Sequence, residues 1–449
     1  MDPGAGPAAI QWTLNYPAAA VAQIAAVAGP AATAANKTLT CTGNSCVLWG
    51  LNAQTIQSGV VAVVAIELSG ASGDVPFQLT GAFAASPPAD PILISTASAP
   101  LVVTTKPPAF PREAALPLET RNATSYFLAC DNTNGISTEV SIANMTAVPA
   151  NILVVIWDDS GMQIDSASIS LPGHGHIAFV ASEQFTSVAN RSVTVEFETP
   201  VGGQISLVGM RFHPDGGFTT IPLASSDDTG NGSMAHVAVG GGWTTSIQLI
   251  NLGNTTVQAH VRFFDDNGLA LTLPVTASGG ATTTASVDPL LPPHSTMAIE
   301  STGTDDSPVQ SGSVHVRGDG QVAGFVRFRY APLHQEAIAP LEMRNPGSYI
   351  LVFDNTDGLA TGVAVANVAS AAGTIPVIIR DATGALIGSE TITIPGDGHT
   401  AFSLSDRFPA TANQRGTLEF FTPPGGQVSV LGMRFLPSGG FSIIPVVVP

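Results

Sequence analysis

Leu118-Glu119-Thr120-Arg121-Asn122 returns as Leu341-Glu342-Met343-Arg344-Asn345, and from there the chain repeats itself at a constant shift of 223 residues, 118 to 341. The same shift carries Asp131-Asn132-Thr133-Asn134-Gly135 onto Asp354-Asn355-Thr356-Asp357-Gly358, Asn144 onto Asn367, and Asp158 onto Asp381. It also takes Pro172-Gly173 to Pro395-Gly396 and Leu207 to Phe212 onto Val430 to Phe435. A match this long without a gap means two copies of one domain. The shift is about twice the size of a sandwich domain, so a third copy should lie between them. A more divergent one does. Trp243 to Asn251 matches the strand ending at Asn144, and Phe263-Phe264-Asp265-Asp266-Asn267-Gly268 matches Ile156-Trp157-Asp158-Asp159-Ser160-Gly161. Leu291-Pro292-Pro293-His294 then matches Leu171-Pro172-Gly173-His174, after an insertion near Ser278 to Asp288. Three units result, residues 117–225, 226–338 and 339–449.

Each unit alternates apolar and polar residues in strand fashion, as in Thr138-Glu139-Val140-Ser141-Ile142 and Ser313-Val314-His315-Val316. Turn signals such as Asp-Ser-Gly, Asp-Asn-Gly and Pro-Gly-His-Gly punctuate the alternation, and helical periodicity is absent. The expected fold class is all-β, in tandem antiparallel β-sandwiches, with the three repeats immunoglobulin-like in architecture. Composition agrees. The chain holds 46 Gly and 34 Pro, and only 11% of its residues are charged, against the roughly 25% usual for soluble domains.

The formal net charge of −18 would repel a phosphate backbone, and no basic cluster offsets it, which excludes nucleic acid as a partner. Mean hydropathy is positive, yet the most apolar runs, such as Val60 to Ile66, are strand-length, so no membrane span is expected. The Ala-rich stretch from Pro17 to Ala35 holds Gln23 and Pro30 and lacks a basic flank, so it reads neither as a transmembrane helix nor as a signal peptide. The start at Met1-Asp2-Pro3-Gly4 carries no export signal and is expected to be truncated or processed. Cys41 and Cys46 flank Thr-Gly-Asn-Ser between two strand-like runs, and a hairpin would put them at bridging distance. A local disulfide and an oxidising compartment fit this spacing, the alternative being two free thiols. Cys130 lies in the apolar run Tyr126 to Cys130 and reads as a small core residue.

Residues 1–105 do not follow the repeat. Ile10-Gln11-Trp12-Thr13-Leu14-Asn15-Tyr16-Pro17, then Val27-Ala28-Gly29, the cysteine hairpin and Gly59 to Leu68 resemble a cohesin domain, a jelly-roll-like sandwich related to carbohydrate-binding modules. The resemblance implies docking to a dockerin-like module. That family would carry a strand ahead of Ile10, where only Met1 to Ala9 stands, so an unpaired sheet edge is expected. A Pro-rich linker, 106–116, follows it. In the repeats, a strand ending in Asn, a short turn, then an apolar strand closed by Phe/Trp-Asp-x-x-Gly resembles bacterial immunoglobulin-like repeats of secreted and surface proteins.

Candidate site residues are few. Asp131 and Thr133, with Asp354 and Asp357 in the twin loop, alternate oxygen side chains before a Gly, a partial calcium loop that lacks the distal bidentate Glu. Asn/Asp-Gly is also the commonest hairpin turn. His174-Gly175-His176 lacks the third ligand a zinc site needs. Trp243, after Gly240-Gly241-Gly242 at the start of a strand, is the candidate sugar-stacking ring, whereas Trp157 reads as core. Arg211 and Arg434 recur in Met-Arg-Phe, and a charge in an apolar strand calls for a buried partner or an outward edge position. No catalytic constellation is recognisable, and no cofactor is expected beyond possible use of calcium. The expected role is a non-catalytic extracellular or cell-surface modular protein, a scaffold, adhesin or carbohydrate-associated binder. Its partner would be a polysaccharide or another extracellular protein module. The alternative is the accessory region of a secreted carbohydrate-active enzyme whose catalytic domain lies outside this chain.

Overall fold

Val, Ile and Thr at alternate positions favour extended backbone, and Gly and Asn-Gly turns reverse it. The computed structural model accordingly consists of antiparallel sheets throughout. It describes all residues except 1–5, 19–20, 69–72, 76, 89, 93, 95–100, 104–112, 117–118, 278 and 305, and no side chains at 67–68, 73–75 and 101–103. The Pro-rich run Lys106 to Pro111 therefore lies outside the described residues. Two compact units divide the chain, Met1–Ala109 and Phe110–Pro449, and all three repeats fall in the second.

In the first unit a five-stranded sheet runs Thr38–Thr42, Ser45–Trp49, Ala9–Asn15, Gln78–Ala85 and Pro91–Ile92. Ala9–Asn15 is paired on both sides, so the edges belong to Thr38–Thr42 and Pro91–Ile92 rather than to this strand. The Ala-rich stretch forms the strand Val21–Ala28 and one helical turn, Pro30–Ala34. Trp12, Leu48, Cys46 and Ile56 form the core with Ala32 and Ala35.

In the second unit each repeat is a two-sheet sandwich. In repeat one, one sheet runs Gln163–Leu171, Ala150–Asp158, Ser192–Glu198, Ser125–Asp131 and Ala224–Ser225. The facing sheet runs His176–Val180, Ser137–Asn144, Ile205–Phe212 and Phe218–Ile221. Repeat three reproduces both orders strand for strand and in register: Phe127 opposes Glu196, and Ile350 opposes Glu419. Both repeats add a four-residue helical turn, Ala181–Gln184 and Leu404–Arg407, too short to leave a period in the sequence.

The insertion reshapes repeat two. Where Gln163–Leu171 pairs along Ala150–Asp158, its counterpart splits. Leu273–Ala277 folds back on Gly280–Thr284 and joins Thr296–Ser301 in the other sheet. Only Ser286–Val287 and Leu290–Leu291 return to Val257–Phe264.

The repeated Glu-x-Arg is a local clip. Glu119 accepts two hydrogen bonds from the Arg121 guanidinium, at 3.0 and 2.8 Å, and Glu342 holds Arg344 in the same way at 2.9 and 2.8 Å. The first unit has its own covalent tie. Cys41 and Cys46 lie opposite each other in the hairpin, Cα atoms 4.1 Å apart, and are joined by a disulfide. Closing a loop this short removes about 2 kcal/mol of unfolded-state entropy. The double substitution Cys41→Ser and Cys46→Ser should therefore lower first-unit stability by about that amount, measured by denaturant unfolding followed through protection of the Trp12 strand from hydrogen exchange.

Candidate functional site

The Phe/Trp-Asp-x-x-Gly turns and the Pro-x-x loops, separate signals in the sequence, meet in space. Each turn is closed by its first acid. Asp158 Oδ1 accepts from the Ser160 and Met162 N–H groups at 2.9 and 3.0 Å. Asp265 Oδ1 accepts from Asn267 and Leu269, both at 2.9 Å, and Asp381 Oδ1 from Thr383 and Ala385 at 2.8 and 3.0 Å. The turn ends in a left-handed glycine, Gly161, Gly268 or Gly384, at φ of 85°, 78° and 84°.

The partner loop is held by the Asn that ends the preceding strand. Asn144, Asn251 and Asn367 are buried, and each Nδ2 donates to two or more carbonyls. For Asn144 these are Val148 and Pro172, at 2.8 and 3.0 Å. Asn251 reaches Thr255, Leu291 and Pro292, and Asn367 reaches Ala371, Ile394 and Pro395. The third loop residue is left-handed in every copy: His174, His294 and Asp397, at φ of 56°, 57° and 57°.

The turn of one repeat docks on the loop of the next. A Cβ on Gly161 would fall 1.8 Å from the Pro293 carbonyl oxygen, and one on Gly268 would fall 1.9 Å from that of Gly396. Glycine is thus required by approach as well as by φ. The second acid makes the cross-repeat bond. Asp159 Oδ1 accepts from Thr296 Oγ1 at 2.8 Å, and Asp266 Oδ1 from His399 Nδ1 at 2.7 Å. Trp157, read from the sequence as core, is half-buried and stacks on His294, ring centroids 3.9 Å apart and 7° from parallel.

The joint between repeats two and three is the more deeply buried. Because the Asp266 carboxylate can only accept, His399 carries its proton on Nδ1, and its Nε2 accepts from His236 Nδ1 at 3.2 Å. Burial, with the neighbouring His399, pushes the His236 pKa down to about 3. Burial also lowers that of His399, against the pull of Asp266. His315 lies 3.6 Å from Asp397, and burial with the nearby Arg317 charge lowers its pKa to about 4. Ala364, Ala366, Leu431 and Met433 of repeat three join the core of repeat two here.

A second cluster links the last strands. Arg211 lies 2.6 Å from Asp131 Oδ2 and 3.1 Å from Glu336 of repeat two, which His213 approaches to 2.8 Å. Burial alone would raise the Glu336 pKa, but the His213 hydrogen bond and the Arg211 charge bring it below the usual value. The twin Arg434 pairs with Glu113, at 3.2 Å, and Ser442 Oγ donates to the same carboxylate at 2.8 Å.

The remaining sequence candidates fall as follows. Asp131 Oδ1 accepts from the Thr133 N–H and hydroxyl, and its Oδ2 faces Arg211. Asp354 is bound alike by Thr356, and its Oδ2 accepts from Arg415 Nε at 2.8 Å, with Asp357 3.6 Å from the same guanidinium. Both loops are hairpin turns with left-handed Asn134-Gly135 and Asp357-Gly358, and their carboxylates face arginines. Among the described residues no three His, Cys, Asp or Glu side chains converge on a metal position. The half-buried Trp243 packs against Tyr330 and Phe441, at 4.8 and 4.9 Å, the latter from repeat three. His174 and His176 are exposed, and Cys130 is buried. The second acid of the turn and the joint histidines were not singled out from sequence, although the repeat alignment sets Asp159 and Asp266 against Ala382.

Asp266→Ala should cost about 1–3 kcal/mol in thermal or denaturant unfolding, since it strips the buried His399 of its acceptor. The histidines set a pH dependence. With folded pKa values below the ordinary 6.5, the unfolded chain binds more protons between the two. Their contribution is complete above about pH 6.5 and is lost progressively as pH falls toward about 3. Denaturant unfolding at a series of pH values should show this slope in the second unit, and His236→Phe should flatten it. No protein-family profile matches the chain, and no curated protein is similar to it in sequence.

Proposed function

We propose that this chain is a non-catalytic extracellular modular protein, in which three interlocked sandwiches act as a scaffold for a cohesin-like first unit. The observation that carries this reading is the pair of joints. A stacked aromatic pair and a cross-repeat hydrogen bond at one, and a shared apolar core at the other, make a stiff scaffold from repeats that a flexible linker would leave independent. The hairpin disulfide supports an oxidising compartment, and the low charge with an acidic excess suits a surface protein that avoids nucleic acid. Among the described residues no helix is long and apolar enough to cross a membrane. On this reading the first unit takes the partner, a dockerin-like module or a polysaccharide, and the immunoglobulin-like repeats are its scaffold.

Cosedimentation with cellulose, xylan and chitin, combined with a reducing-sugar assay, tests the reading. The expected result is no sugar release, and any retention unchanged by Trp243→Ala, because that ring is packed between Tyr330 and Phe441. Sugar release would overturn the non-catalytic assignment. Retention lost on Trp243→Ala without a fall in melting temperature would move carbohydrate binding to the repeats.

A further inference from the structure

The two joints use two turns and two loops, which leaves one loop, Pro172 to His176 of repeat one, and one turn, Asp381 to Gly384 of repeat three. We propose that the open loop and the sheet face beside it are a docking site for the Asp-Asp-x-Gly turn of another repeat of this type. The chain's own last turn is barred from that site by Ala382 and Arg380.

The loop has the shape of its occupied twins. Asn144 pegs it as Asn251 and Asn367 peg theirs, His174 is left-handed, and the His174 N–H donates to the Thr146 carbonyl at 2.8 Å, as Asp397 donates to Ala369 at 2.9 Å. It needs no rearrangement to receive a turn, which spares the ordering cost of binding. His176 occupies the position from which Thr296 and His399 donate to a second acid. It is exposed, whereas His399 is 3% exposed. The neighbouring face tells the same story: Val208 is 38% exposed where its counterpart Leu431 is 4%.

The free turn, in contrast, has lost what recognition requires. Asp381 still closes it and Gly384 keeps its left-handed φ of 84°, with open space beyond the α-carbon. At the second-acid position stands Ala382, and Arg380 replaces the aromatic ring of Trp157 or Phe264. The turn folds but cannot accept from a loop. Repeat three therefore lacks the groups with which repeats one and two engage a following loop. The Asp-Asp-x-Gly runs that remain are engaged within the chain. Those at 158–161 and 265–268 fill the two joints, and the one at 227–230 lies with Gly230 against the Gly320 carbonyl, where a Cβ would come within 2.0 Å. Residues 1–109 hold no Asp-Asp pair. The occupant is therefore a separate repeat with an aromatic residue and both acids. This inference stands on the joints and not on the scaffold reading.

The test rebuilds the missing turn. In the full chain, Arg380→Phe with Ala382→Asp copies the turn of repeat two. A head-to-tail contact between different surfaces does not close on itself, so open chains should form. Sedimentation of the unaltered chain should show a monomer throughout, while the weight-average mass of the double variant more than doubles with concentration. Adding His176→Ala to the variant should abolish this, and excess unaltered chain, which offers a loop but no turn, should shorten the chains. A double variant that stays monomeric with an unchanged melting temperature overturns the proposal. So does association of the unaltered chain that His176→Ala abolishes. If this double variant melts early, Arg380→Trp with Ala382→Asp, which copies the turn of repeat one at two exposed positions, carries the same test.

Discussion

The buried amide of one asparagine per repeat is the interaction on which the second unit is arranged. An amide taken out of water without partners costs several kilocalories per mole, so Asn144, Asn251 and Asn367 bind the loop carbonyls around them. In doing so each fixes the path of the Pro-x-x loop and the left-handed residue at its tip. Only a loop held in that path can bring a carbonyl to within contact of a neighbour's glycine. The joints, and with them the alignment of the repeats, rest on side chains that touch neither partner repeat.

Much of this was legible in the sequence, and the limits have physical causes. Alternation, turn residues and the ungapped shift give the sandwich and the copy number, since strand period and Gly-rich turns are local properties. The cysteine hairpin is local too. Sheet membership is not. Leu273–Ala277 would show the same alternation in either sheet, and its transfer depends on the inserted hairpin that pairs with it. The joints were hidden for a related reason. Beside the turn-closing Asp158 and Asp265, the second acids look like ordinary turn residues, and their role lies with a partner more than a hundred residues away. The neighbours of Trp243 are also non-local: after three glycines with positive φ values the half-buried ring rests on Tyr330 and Phe441, and no local pattern announces either contact.

The divergent middle repeat is also the one with two partners. It alone has both a turn and a loop in use, so its surface is under constraint from both neighbours. Among the described residues the loop of repeat one and the turn of repeat three meet no other repeat, and these two copies are closely similar in sequence. Phe325 and Ile250 face Phe127 at one joint, where repeat three sets Leu431 and Ala366 at the other. Unlike partners demand unlike surfaces, and the middle copy carries both.

The contact of Glu113 with Arg434 and Ser442 ties the first described segment of the second unit to its last repeat, across more than three hundred residues of chain. Arrays in which each repeat meets only its neighbours can peel from an end, one module at a time. Here the segment ahead of repeat one is latched to repeat three. A pull on the two termini of this unit would load that latch together with the final strands, as a shear across the whole train, before any single sandwich could unravel.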